Sequence, residues 1–139
     1  MRLEHGDFVL SPTDLANFSA CGHLTALDIQ SLRGGLKKPV YADPALELLQ
    51  QRGEAFEQET LKRYEEQGLS VVRISRDDPD AEANTIRAMK DGVDVIYQAR
   101  LVMHPWRGWA DFLLKVEQPT PNLGSHGYEV ERILCLLKP

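Results

Sequence analysis

The sequence predicts a mixed α/β fold in which a β-sheet is flanked by helices. Apolar residues recur at helical spacing over the first half of the chain, whereas strand-like runs dominate the second half. The order of helices, one strand, a further helix and then three strands favours a mixed sheet with helices packed on it. With 139 residues, 42% of them hydrophobic, residues 1–139 are expected to form a single domain with its own core.

Two helices are predicted in the first half. Ser11 can cap the first one, Pro12 takes the first helical position and Asp14 completes a capping box, so this helix should run from position 12 to the loop at Arg33. The second helix should begin at 43–44 and end at Gly68. Gly53 lies inside its apolar stripe and predicts either a break between two helices or the close approach of another element.

The second half alternates apolar and polar residues as strands do. A strand is predicted at 69–74 and a short helix at 80–90. Three more strands are predicted at 93–102, 108–117 and 128–137. The first two of these three could form a hairpin across 103–107.

Charge and composition exclude several classes of protein. The 21 acidic residues exceed the 16 basic ones, so the chain lacks the bulk positive charge of a protein that coats nucleic acid. No run of 18 apolar residues and no signal peptide are found, which predicts a cytoplasmic protein without a membrane partner. Cys21 and Cys135 lie too far apart in the sequence for a closed metal motif or a disulfide framework, and two free thiols are expected.

Asp111 is the most informative single residue. It lies in an otherwise apolar strand, where an ionised carboxylate loses several kcal/mol of hydration unless it is paired or binds a cation. One interpretation is that it is half solvated at the strand end or pairs with an arginine. The other is that it ligates a divalent cation, since Mg²⁺ prefers oxygen donors.

Three further acids could join Asp111 in such a site. Glu57 lies on the acidic second helix, and Glu129 and Glu131 should share one face of the last strand because side chains alternate with period two. Taken singly, each is more simply interpreted as a solvated surface acid. Taken together, a helix acid and acids on two adjacent strands are typical of a metal-dependent phosphodiesterase.

Seven short segments carry a resemblance to a known family. They are Leu-Ser-Pro-Thr-Asp-Leu at 10–15, Cys21 with His-Leu-Thr at 23–25, Arg-Gly-x-x-Phe-Glu at 52–57, Thr-x-x-Ala-Met at 85–89, Ile-Tyr-Gln-Ala at 96–99, Gly-x-Ala-Asp-Phe-Leu at 108–113 and Tyr-Glu-Val at 128–130. In this order and spacing, the chain from about position 10 to 131 resembles RecB-like nucleases of the PD-(D/E)XK superfamily.

The resemblance implies a restriction-endonuclease-like core that holds Mg²⁺ or Mn²⁺ and hydrolyses DNA. By that similarity Glu57 takes the helix acid position and Asp111 the Gly-x-x-Asp metal position. Cys21 matches the position of the first of four cysteines that hold an iron–sulfur cluster in some members. The implied partners are DNA and a helicase or a fused downstream domain.

The chain departs from the family pattern after Tyr-Glu-Val. Where the family has Asp-Thr-Lys, this chain has Arg132, Ile133 and Leu134, so the second metal acid and the catalytic lysine are missing. Hydrolysis should therefore be impaired, and the nuclease core is expected to be incomplete at its C-terminus. One hypothesis is a shifted reading frame just before the lysine codon; the alternative is that 133–137 is simply a buried strand. A 4Fe–4S cluster is not expected, because one matched cysteine cannot hold it.

A basic loop offers a candidate contact to DNA. Arg33, Lys37 and Lys38 could bind phosphates, although an exposed basic loop is often only solvated. Two functions are therefore expected from the sequence. The first is a RecB-like, metal-dependent deoxyribonuclease with impaired catalysis, and the second is a non-catalytic remnant of that fold that binds DNA or protein.

Overall fold

The computed structural model describes residues 1–39 and 43–131, and it has the predicted mixed α/β class. The chain divides into two compact units. The first comprises Met1–Ala42 with Val102–Gly108, and the second comprises Asp43–Leu101 with Trp109–Pro139. The predictions made for 132–137 lie outside the described residues. Within the described ranges, no helix is both long and apolar enough to cross a membrane.

The first unit begins with a hairpin that the sequence did not predict. Strands β1 (Arg2–Glu4) and β2 (Asp7–Val9) pair antiparallel. The two turn residues, His5 and Gly6, both have positive φ, of 52° and 94°. A two-residue turn of this kind matches the right-handed twist of the strands that it joins.

Two helices follow where one was predicted. Helix α1 (Pro12–Ala20) begins with the expected cap, in which the Ser11 backbone N–H donates to Asp14 Oδ2 at 2.7 Å. Cys21 then adopts an extended backbone, with φ −161°, and is both the C-cap of α1 and the N-cap of α2 (Gly22–Leu32). The prediction of a single helix was wrong because apolar spacing does not reveal one extended residue within a helical pattern.

Helix α3 (Pro44–Glu66) is the longest element of the second unit. The carboxylate of Asp43 caps it by accepting from the backbone N–H of Ala45 at 2.9 Å. The helix runs without interruption through Gly53, and a Cβ placed on that glycine would meet no atom within 4 Å. Both interpretations of Gly53 were therefore wrong, since there is neither a break nor a close neighbour.

A four-stranded mixed sheet follows α3. Its order is β3-β4-β5-β6, formed by Val71–Arg73, Val95–Met103, Trp106–Val116 and Gly127–Glu131. Strands β3 and β4 are parallel and are connected through helix α4 (Ala81–Lys90), as a parallel pair requires a crossover. Strands β5 and β6 are antiparallel, with Phe112 opposite Glu131. The tip between β4 and β5 belongs to the first unit.

The sheet carries one apolar cluster on each face. Leu61 of α3 packs with Val95 and Phe112, whereas Ile96 and Leu113 belong to the cluster that includes two buried alanines of α4. Neighbouring residues along β4 and along β5 thus point to opposite faces, as strand geometry dictates. Glu57, one turn before Leu61 on α3, is thereby directed toward β4.

Candidate functional site

The carboxylate of Glu57 is the centre of a polar network between α3 and β4. Its Oε2 atom accepts hydrogen bonds from the Tyr97 hydroxyl and from Gln98 Nε2, both at 3.0 Å. Gln58 Nε2 in turn donates to the Tyr97 hydroxyl at 3.1 Å. The side chain of Glu57 is half-buried, so two strand residues hold a charged group that still reaches solvent.

A left-handed residue in β4 makes this network possible. Gln98 has φ 57° although it is not a glycine. Tyr97 and Ile96 point to opposite faces of the sheet, and strict alternation would place Gln98 on the α4 face with Ile96. Instead, Gln98 reaches Glu57 on the α3 face, and Ala99 packs in the α4 cluster. Such an irregularity costs about 1–3 kcal/mol and is found preferentially at functional sites.

Gln98 also connects Glu57 to a cation. Its Oε1 atom accepts from Arg76 Nε at 2.8 Å, so its amide bridges the guanidinium and the carboxylate. The ion pairs found among residues 1–39 and 43–131 do not include a direct Arg76–Glu57 contact. The guanidinium carbon of Arg76 lies 5.8 Å from the centroid of the Trp109 ring, and that of Arg100 lies 5.0 Å from it.

A cavity of about 930 Å³ opens beside this network. It is lined by Gln50, Gln51, Gly53, Glu54, Ala55, Glu57, Gln58, Ile74, Arg76, Tyr97 and Gln98. Four glutamines, two glutamates and one arginine are among the lining residues, and the surface that they and their neighbours present is about equally polar and apolar, so the cavity offers several polar groups to a ligand. Gly53, one turn before Glu57, leaves the helix wall without a side chain at this point.

Gly53→Ala is expected to stabilise the protein. Alanine favours a helix interior over glycine by about 1 kcal/mol, and the added methyl group would meet open space. Urea denaturation of the two proteins measures the difference. A loss of stability in the variant would contradict the open helix wall described here.

Glu131 and Glu129 share one face of β6, as predicted. They lie opposite Phe112 and Leu114 in the register, two residues apart on each strand. Glu131 accepts a hydrogen bond from the hydroxyl of Tyr64 on α3, whereas Glu129 is exposed. Burial, followed by the hydrogen bond and the charge of Glu131, raises the pKa of Tyr64 to about 12.

Asp111 is half-buried in the middle of β5, not at the end of the strand. Within the described ranges its carboxylate has neither an ion-pair nor a hydrogen-bond partner, so the predicted pairing with an arginine is not seen there, and its role as a cation ligand stays a prediction. Two tyrosines hold two of the other predicted acids separately: Tyr97 holds Glu57 and Tyr64 holds Glu131.

The predicted acids do not form a metal centre in the part of the chain that is described. No three His, Cys, Asp or Glu side chains converge there in a way that could hold an ion. A catalytic Mg²⁺ or Mn²⁺ is held by one or two carboxylates together with substrate oxygens, so the predicted cofactor does not require three such side chains and stays a prediction.

The remaining predicted site residues lie in the first unit. Cys21 is exposed between α1 and α2. Arg33 lies over the ring of Phe8, 5.7 Å from its centroid, and Lys38 pairs with Asp28 at 2.9 Å. Lys37 is exposed. Two of the three basic side chains of this loop are thus already engaged with neighbours in their own unit.

The electrostatics of the network follow from the same contacts. Burial raises the pKa of Tyr97, and the hydrogen bond and charge of Glu57 raise it further. Tyr97 therefore stays protonated at neutral pH and serves Glu57 as a donor. Its ring lies 5.1 Å from that of Phe112, whose other side-chain neighbours include Tyr64 at 5.7 Å.

Sequence reasoning missed four of the five residues of this network. Gln58, Tyr97, Gln98 and Arg76 were not predicted as site residues, although a glutamine in the apolar run 93–102 is the same kind of signal that drew attention to Asp111. Comparison of the chain with family models, with curated proteins and with solved structures found no match.

Proposed function

We propose that this chain is a RecB-like nuclease domain that binds DNA and hydrolyses it weakly or not at all. The observation that carries the proposal is the position of Glu57. This acid, which the resemblance identifies as the helix acid, is held by two residues of β4 at a polar cavity. Glu57 is fixed by two hydrogen bonds yet stays partly solvated, and Arg76 lies on the other side of the Gln98 amide, so the cavity offers groups of both charges to a polar ligand.

The cavity lining carries two carboxylates and one cation, and the cation is the group that supports a nucleic acid as that ligand. Arg76 supplies a cation for a phosphate, and the glutamine amides offer both donors and acceptors. The overall net charge of −5 opposes non-specific coating of DNA, so binding should be local and sensitive to salt. These properties favour the contact of one strand segment at one cavity.

Weak hydrolysis is expected because groups that stabilise charge in the transition state are missing. The sequence has Arg132, Ile133 and Leu134 where the family has Asp-Thr-Lys, and the described residues do not group three metal ligands. Loss of one such group typically lowers the rate by about 10²–10³-fold. Labelled DNA incubated with Mg²⁺ or Mn²⁺ should therefore stay largely intact. Rapid turnover that is abolished by Asp111→Ala would show that the chain is an active nuclease.

A bulky side chain that fills the cavity tests whether DNA binds there. Gly53→Trp places a large ring on the cavity wall and should weaken the binding of a single-stranded oligonucleotide, measured by fluorescence anisotropy at low salt. Leu48→Trp makes a similar change on the same helix, at an exposed position outside the lining, and should bind as the unmodified protein does. Equal binding by both variants would exclude the cavity, and no binding by the unmodified protein would contradict the proposed function.

A further inference from the structure

The contacts of Gln98 divide its amide between two opposite charges. The oxygen accepts from Arg76 and the nitrogen donates to Glu57, so the amide lies between the guanidinium and the carboxylate. In a direct ion pair, the N–H groups of the guanidinium would donate to the oxygens of the carboxylate, and both would be occupied. The inserted amide keeps the two charges apart and leaves each with groups available for a ligand.

Arg76 uses only its Nε atom in this network. Within residues 1–39 and 43–131, no hydrogen-bond partner was found for its two terminal nitrogens, and the side chain is exposed. The guanidinium also lies near the ring of Trp109. A guanidinium fixed through Nε and beside an aromatic ring is restricted in orientation, so less entropy is lost when its terminal N–H groups bind an anion.

The second residue near the Trp109 ring adds positive charge. Arg100 lies 5.0 Å from the ring centroid, so two guanidiniums share one indole. This combination of cations and an aromatic ring is common where single-stranded nucleic acids bind. The opposing carboxylates of the lining are Glu54 and Glu57, and Glu57 lies beyond the Gln98 amide.

We infer that Arg76 contacts a backbone phosphate of single-stranded DNA and that Gln98 is the positioning residue that orients it. The inference rests on the proposed function, because it names the phosphate contact of the same cavity. The left-handed backbone at Gln98 is then explained, since only this irregularity brings the amide to the α3 face. Arg76 supplies the cationic contact to phosphate that the missing family lysine does not.

The test measures how salt affects the binding of a single-stranded oligodeoxythymidine. Arg76→Gln is expected to weaken binding about tenfold. It should also make the plot of log K against log salt less steep by about 0.7, the value for one phosphate contact on a single strand. Arg87→Gln removes the same charge at an exposed position of α4 outside the cavity, and it should leave both quantities near those of the unmodified protein.

Gln98→Gly separates positioning from folding. Glycine accepts the left-handed backbone without strain, so the variant should fold, yet Arg76 loses its partner. Weaker binding with a reduced salt slope in this variant supports the inference. If the unmodified protein binds and Arg76→Gln matches Arg87→Gln, the inference is wrong and the proposed function stands. If the unmodified protein does not bind, the proposed function is wrong, and the inference with it.

Discussion

Phe112→Ala is expected to lower the free energy of unfolding by about 3–5 kcal/mol, the usual cost of removing a fully buried ring. Phe112 has no exposed surface and packs with Leu61 and Val95 between α3 and the sheet. It also contacts Tyr64 and Tyr97, the two tyrosines that donate to Glu131 and Glu57. The substitution should therefore weaken DNA binding as well, because both donors lose their support.

Phe56→Ala is the matched control for this substitution. It removes the same ring from α3 at a residue that keeps 41% of its accessible surface exposed, and alanine favours the helix. Its cost should be about 1 kcal/mol or less. Urea denaturation monitored by circular dichroism compares the two variants. Equal losses of stability would contradict the assignment of Phe112 to the core of the second unit.

Stability is expected to fall by about 1–2 kcal/mol as the pH rises from 10 to 12, since Tyr64 ionises later in the folded protein than in the unfolded chain and solvent screens part of this effect. Its pKa is about 12 when folded, against an ordinary value of 10.0. Below pH 10 both states keep the proton and this stabilisation is fully present. Above pH 10 the unfolded state releases the proton first, so unfolding becomes more favourable until the folded pKa is passed.

Tyr64→Phe tests whether ionisation of Tyr64 causes the loss of stability between pH 10 and 12. It removes the ionisable hydroxyl while keeping the ring against Phe112, and it should make the loss of stability between pH 10 and 12 less steep. Part of the loss should persist, because burial also raises the pKa of Tyr97 and of Tyr128. An unchanged slope in the variant would show that Tyr64 does not carry the effect.

The sequence predicted those structural features that depend only on residues close together in the chain. The cap formed by Ser11 and Asp14 was predicted because it needs only neighbouring residues, and the structure has it. The shared face of Glu129 and Glu131 follows from strand geometry alone. The extended backbone at Cys21 and the continuous helix at Gly53 were not predicted, because residue spacing does not report the dihedral angle of one residue.

The same difference applies to the candidate site, where the sequence predicts single residues but not the contacts that folding creates between distant segments. Glu57 was singled out as an acid of the second helix and then by the resemblance, but its partners come from β4 and from the segment after β3, which only the folded chain brings together. The decisive feature is the positive φ of Gln98. Glutamine has no special preference for that conformation, and so the sequence offered no signal that this side chain would change faces.

We propose that DNA binds at the cavity beside Glu57, and an NMR titration is the sharpest test of this claim. A ¹⁵N-labelled sample is titrated at low salt with a single-stranded oligodeoxythymidine. The largest shifts are predicted at the backbone amides of Gly53, Ile74 and Gln98, which line the cavity. Shifts confined to the basic loop at 33–38, or no shifts in excess DNA, would contradict the claim.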